Sequence, residues 1–194
     1  MIMIYSHIEK DISSLKKPLV IGINGAITSG KTMFSKGLEQ YLQDKGYDTQ
    51  IIHIDDFHNP RSIRMKDNSP QAYIDNAIDF RKFEELITEI KCKAVNKTMT
   101  LLDMGAESYV SNKTFITNMN TIVIVEGVLL YSQQIKHLFD YRIYLDIDYA
   151  EILRRGKERD VPQFGEQILQ QYIDFIFLGK KCMKSKLFLK SKAI

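Results

Sequence analysis

The chain has 194 residues, 44% hydrophobic and 26% charged, the balance of one soluble globular domain long enough to bury its own core. No apolar run approaches the roughly 20 residues of a membrane span, and the start, Met1-Ile-Met-Ile-Tyr-Ser-His7, lacks a basic leader region, so no membrane partner and no secretory signal are expected. The net charge of +3 comes from one place: Phe175 to Ile194 carries six lysines and no acid, and without them 21 basic residues face 24 acidic ones, so a nucleic-acid partner is not expected either.

Residues 1–17 read as an N-terminal extension and 175–194 as a Lys-rich tail on a single domain. Cys92 and Cys182 fit no ligand spacing and read as reduced thiols of a cytoplasmic protein. Leu19 to Asn24, after Pro18, is a short apolar run that predicts a buried parallel strand. The next eight residues, Gly25, Ala26, Ile27, Thr28, Ser29, Gly30, Lys31 and Thr32, match the phosphate-binding pattern G-x-x-x-x-G-K-[ST]. Its glycines let consecutive N–H groups curl around a polyphosphate. Lys31 can reach the β- and γ-phosphates, and the Thr32 hydroxyl can sit on Mg²⁺. Phe34, Leu38, Tyr41 and Leu42 then share one helical face, and Gly46 ends that helix. Strand, glycine loop and helix together aim a helix N-terminus at an anion. The dinucleotide fingerprint G-x-G-x-x-G is absent.

Thr49 to Ile54 predicts a second strand, ending in Asp55-Asp56-Phe57-His58, and a polar stretch from Asn59 to Gln71 follows. Phe83, Leu86, Ile87 and Ile90 make an i, i+3, i+4, i+7 stripe and predict a helix. Thr98 to Phe115 alternates irregularly and reads as a small β excursion. Thr121 to Val125 and Tyr141 to Leu145 are further buried strands, closed by Glu126-Gly127 and by Asp146, the latter a cap or turn residue. A helix from about Tyr149 carries Arg154, Arg155 and Arg159 until Pro162 breaks it, and a last helix runs from about Gly165. Alternating strands and helices give an α/β, doubly wound parallel sheet whose ligands sit at the carboxyl ends of the strands. That rule singles out Asp55 as a candidate general base and Glu126 as a metal-side acid. The three arginines become a candidate lid that neutralises phosphoryl charge.

Together these motifs resemble the uridine kinase family of P-loop nucleoside kinases, in the uridine kinase/phosphoribulokinase group. The likeness runs from about Pro18 to Tyr172. It rests on the loop, on Asp55-Asp56-Phe57-His58, on Glu126-Gly127, on Asp146-Ile-Asp148 followed by Arg154-Arg155 and Arg159-Asp160, and on Glu166 to Tyr172. The resemblance implies a P-loop NTPase fold: a three-layer α/β/α domain with a central, mainly parallel sheet, a small β excursion and a helical lid. It also implies ATP- or GTP-dependent phosphorylation of the 5′-hydroxyl of uridine or cytidine with Mg²⁺. By position, Asp55 is the base, Thr32 and Glu126 are the Mg²⁺ side, the three arginines are the lid, and His58, Asp75 and Gln171 lie on the nucleoside. A homo-oligomer is left open.

Three departures stand out. His58 replaces a usual Tyr, and Val161-Pro-Gln-Phe-Gly165 replaces the family's arginine-glycine-arginine stretch. The Lys-rich end also fits neither the family's last helix nor its closing strand, so the adenine-side pocket is expected to be incomplete. Two other readings stay open: a kinase of another small-molecule hydroxyl, such as nicotinamide riboside or pantothenate, and a nucleotide-binding module without catalysis. A GTPase is disfavoured, because Asn96-Lys-Thr-Met99 and Asn112-Lys-Thr-Phe115 both lack the Asp of a guanine reader.

Overall fold

A computed structural model describes residues 2–66, 74–170, 173 and 189–190. Among these residues the centre is a five-stranded, wholly parallel sheet built from β1 (Leu19–Gly25), β2 (Thr49–His53), β5 (Ile122–Gly127), β6 (Tyr141–Asp146) and β7 (Leu189–Lys190), in the order β2-β5-β1-β6-β7. The central strands are buried on both sides, so successive residues feed two separate cores. Leu19, Ile21, Ile23, Ile122 and Ile124 face α1 (Ile2–Ile12) and α2 (Lys31–Asp44). Val20, Val123 and Val125 face the opposite layer, with Phe83, Leu86, Ile87 and Ile90 of α4 (Phe80–Cys92), which follows the short α3 (Arg61–Arg64) in the chain. The helical stripe read from the sequence is thus the buried face of α4, and Asp79 caps that helix by accepting from the Lys82 N–H at 2.9 Å.

Residues 1–17 are more than an extension. Tyr5, Ile8 and Ile12 of α1 are buried against Leu38 and Leu42 of α2. Gly37 is what lets the two helices approach: a Cβ there would lie 2.3 Å from the Tyr5 hydroxyl. The β excursion is an antiparallel hairpin, β3 (Val95–Asp103) and β4 (Ser108–Thr117), with an irregularity between Leu101 and Leu102. Phe115 stacks on Phe57 at 6.2 Å, which ties the hairpin to the end of β2.

At the lid, α5 (Tyr149–Arg159) gives way to the short α6 (Val161–Phe164), with Pro162 in its first turn, and a further helical turn covers 167–170. The expected lack of a closing strand is corrected in part. Leu189–Lys190 pairs in parallel with Leu145–Asp146, because an open sheet edge needs only main-chain donors and acceptors and not an apolar composition. The rest of the Lys-rich end and Cys182 lie outside the described residues. No described helix is long and apolar enough to cross a membrane.

Candidate active site

The phosphate loop joins β1 to α2 at the carboxyl edge of the sheet. A Cβ on Gly25 would lie 2.7 Å from the Ser29 hydroxyl and 2.9 Å from the Leu145 carbonyl, so only glycine fits where the chain leaves the strand. Thr28 and Gly30 take left-handed backbone angles, φ 61° and 90°, and these curl the loop. No side chain caps the start of α2 and no acid lies in its first turn, so its leading N–H groups stay available to an anion. Lys31 folds back and donates to the Ala26 carbonyl at 2.8 Å. Burial holds its ammonium below the usual lysine range, while the charges of Glu126 and Asp55 pull it back up and that of Arg159 pushes it further down. The charges of Asp55, Glu126 and Arg159 therefore all act on the loop lysine.

Asp55 gets its orientation from a single 3₁₀ turn, Ile54–Phe57. Ile54 and Phe57 are fully buried on one side of it, which turns Asp55 outward with its side chain 65% exposed. Phe57 meets Phe83 edge-on at 5.3 Å, so the acid's backbone rests on two core aromatics. The neighbouring Asp56 pairs instead with Lys113 of the hairpin at 3.4 Å. His58 is buried and its Nδ1 lies 2.7 Å from the Asp55 carbonyl oxygen, so that nitrogen carries the proton and donates. Asp75 is exposed, and its segment runs beside Phe57 to Asn59: His58 bridges Ile78, and Asn59 N–H donates to the Ala77 carbonyl at 2.8 Å. Gln171 lies outside the described residues.

Glu126 is buried at the end of β5, next to Gly127, whose φ of 152° and close contact with Ile54 exclude a side chain. Its Oε1 accepts from the Thr32 hydroxyl at 3.0 Å and lies 2.6 Å from His53 Nδ1. Burial pushes this carboxyl up. The hydrogen bonds from His53 and Thr32 and the nearby charges of His53 and Lys31 outweigh it and leave the group below its usual range. An ionised carboxylate oxygen beside a threonine hydroxyl is a hard donor set that fits Mg²⁺, which takes one or two protein oxygens and completes its shell with phosphate and water. No cluster of three His, Cys, Asp or Glu side chains competes for a metal among the described residues.

The three arginines divide. Arg155 reaches the loop: Nη1 donates to the Thr28 carbonyl at 3.2 Å and is the nearest atom to a Cβ placed on Gly30, at 3.9 Å. Its Nε donates to Glu151 at 2.6 Å, and the Thr28 hydroxyl returns a bond to the Ile152 carbonyl at 3.1 Å, so loop and helix are pinned in both directions. Arg159 is gripped by the buried Asp160 through two bonds of 2.8 Å. Arg154 donates to Glu151 and Glu158 along the exposed face of α5, and its hydrogen bonds do not go to the loop. Sequence reasoning did not separate these three, since their directions depend on how α5 docks. It also missed His53, whose signal is a polar, ring-bearing residue at the end of an otherwise apolar strand, two positions before Asp55.

Comparison with known proteins bears on the family and the fold. A uridine kinase of Limosilactobacillus reuteri is 29% identical over 167 residues, covering 84% of this chain and 75% of that protein. A solved structure from Bacillus stearothermophilus, described as a possible uridine kinase, superposes with a TM-score of 0.64 at 23% identity, covering 89% of this chain and 93% of that one. D-glycerate 3-kinase from Cryptococcus neoformans superposes with a TM-score of 0.60 at 12% identity, over 93% and 85% of the two chains. At these identities the structural likeness carries the fold alone. The sequence pattern of the Phosphoribulokinase / Uridine kinase family matches residues 20–178, most of the chain. The protein belongs to that family of P-loop kinases.

Proposed function

We propose that this chain is a nucleoside kinase that transfers the γ-phosphoryl group of ATP or GTP to the 5′-hydroxyl of uridine or cytidine. The observation that carries the reading is the placement at one sheet edge of the loop lysine, the exposed carboxylate of Asp55 on the turn after β2, and Glu126, bonded to the Thr32 hydroxyl. In this reading the loop N–H groups and Lys31 hold the β- and γ-phosphates. Asp55 accepts the 5′-hydroxyl proton as the oxygen bonds to the γ-phosphorus and the bond from that phosphorus to the β–γ bridging oxygen breaks. Thr32 and Glu126 would hold Mg²⁺, which when bound neutralises phosphate charge. Arg155, placed against the loop, and Arg159, whose charge reaches Lys31, stabilise the negative charge that builds on the transferring group. His58 and Asp75 line the acceptor side, next to the turn that carries Asp55, and Gln171 is assigned there by family resemblance.

Uridine-dependent ADP release by wild type and Asp55→Asn, with ATP affinity measured separately, tests the reading. The variant is expected to keep its ATP affinity and lose at least about a hundredfold in rate, the scale of a lost general base. A near-normal rate removes Asp55 from the role.

A further inference from the structure

The Glu126 carboxylate has a second protein partner that the kinase reading does not require. His53 and Glu126 are register partners on the adjacent parallel strands β2 and β5, so the sheet itself places their side chains side by side. His53 Nδ1 and Thr32 Oγ1 both approach the same oxygen, Oε1, at 2.6 and 3.0 Å. Two donors on one oxygen fix the rotation of the carboxyl plane and leave Oε2 in a set direction. The imidazole is partly exposed, at 36%, whereas Glu126 is 8% exposed, so the ring closes the carboxylate off from solvent on the β2 side. Lys31 meanwhile donates to Ala26 and not to Glu126, although the two attract each other.

We infer that His53 is a positioning residue: it holds the Glu126 carboxylate toward the metal position. The inference rests on the reading of Thr32 and Glu126 as the metal side of the site. Without the Nδ1–H donor, one restraint on Oε1 is lost and the buried carboxylate is free to turn away from that position. Partners that orient a metal ligand in this way typically contribute 10–100-fold in metal affinity.

The test uses the full chain and a non-hydrolysable ATP analogue, with binding followed by calorimetry in EDTA and across a Mg²⁺ titration. Wild type is compared with His53→Ala, with His53→Asn, whose side-chain amide nitrogen occupies the place of Nδ1, and with His53→Leu. His53→Ala is expected to bind the analogue normally in EDTA and to need about tenfold or more Mg²⁺ than wild type to strengthen binding. His53→Asn is expected to return to within about threefold of wild type. His53→Leu, of similar bulk but without a donor, should behave as His53→Ala and serves in its place should that variant not fold. A full Mg²⁺ response in the donorless variants overturns the inference, as does an equal loss of affinity with and without Mg²⁺. No Mg²⁺ response in wild type overturns the metal-side reading, and the inference falls with it.

Discussion

Arg154 and Arg155 are sequence neighbours of the same type, yet they make different contacts, and the proposed function makes the consequence large enough to measure. Arg155 donates to the Thr28 carbonyl at 3.2 Å and stands over Gly30 of the phosphate loop, where the proposed reaction would build up phosphoryl charge. Removing one preorganised donor of this kind costs about 2.7–4 kcal/mol of transition-state stabilisation, or about 10²–10³ in kcat. Arg154 has bonds of 2.6–2.8 Å, but they run to Glu151 and Glu158 on the helix surface, where water and salt screen them. Its loss leaves Arg155 still bonded to Glu151. Arg155→Ala is therefore expected to lower kcat at least about a hundredfold. Arg155→Lys should recover only part of that, because an ammonium lacks the planar fork that reaches Thr28 and Glu151 together. Arg154→Ala should stay within about twofold of wild type and lower the melting temperature by no more than about 4 °C. A coupled ADP-release assay at saturating ATP and acceptor, beside a thermal melt, decides between them. Equal damage from Arg154→Ala and Arg155→Ala, or a normal kcat in Arg155→Ala, would refute the assignment.

Other expectations follow from single contacts. Gly37→Ala should cost about 1–3 kcal/mol in denaturant unfolding, because its Cβ meets the Tyr5 hydroxyl at 2.3 Å, and Tyr5→Phe should relieve part of that cost in the double variant. Lys31→Ala should abolish tight nucleotide binding while leaving the melting temperature of the apo protein near normal, since the ammonium's bond is to the loop's own Ala26. Hydrogen bonds from Arg154 and Arg155 hold the Glu151 carboxyl down to about 2. Its folded value lies below the unfolded one of about 4.3, so its contribution is complete above that pH and fades as pH falls toward 2. The melting-temperature gap between wild type and Glu151→Gln should accordingly shrink between about pH 5 and pH 3, and a gap that widens on acidification would reverse the assignment.

What could be read in the sequence was local. The phosphate loop, the Leu19 and Thr121 strands and the Phe83 to Ile90 stripe each announce themselves within a dozen residues, because a strand buried on both faces and an amphipathic helix have distinctive periods. The first helix escaped because its buried stripe, Tyr5, Ile8 and Ile12, is mixed with the exposed Ile2, Met3 and Ile4, and its docking depends on Gly37 far along the chain. The hairpin looked irregular because it buries only Val95, Leu101, Leu102, Phe115 and Thr117 in β3 and β4, and its pairing slips between Leu101 and Leu102. At the site, Lys31, Thr32, Asp55 and Glu126 carried their own signals. The His53–Glu126 pairing spans 73 residues and exists only through the β2–β5 register. The split between Arg154 and Arg155 is set by the angle at which α5 meets Thr28, which no helical period encodes.

The proposed activity is phosphorylation of the 5′-hydroxyl of a pyrimidine nucleoside. Purified protein with ATP and Mg²⁺ against a panel of uridine, cytidine, nicotinamide riboside, pantothenate and D-glycerate, with the product's phosphate position read by NMR, tests it most directly. Turnover on uridine or cytidine, with the phosphate on the 5′ oxygen, is the expected result. Turnover on pantothenate, nicotinamide riboside or D-glycerate without the pyrimidine nucleosides would contradict it, as would tight ATP binding with no turnover on any acceptor.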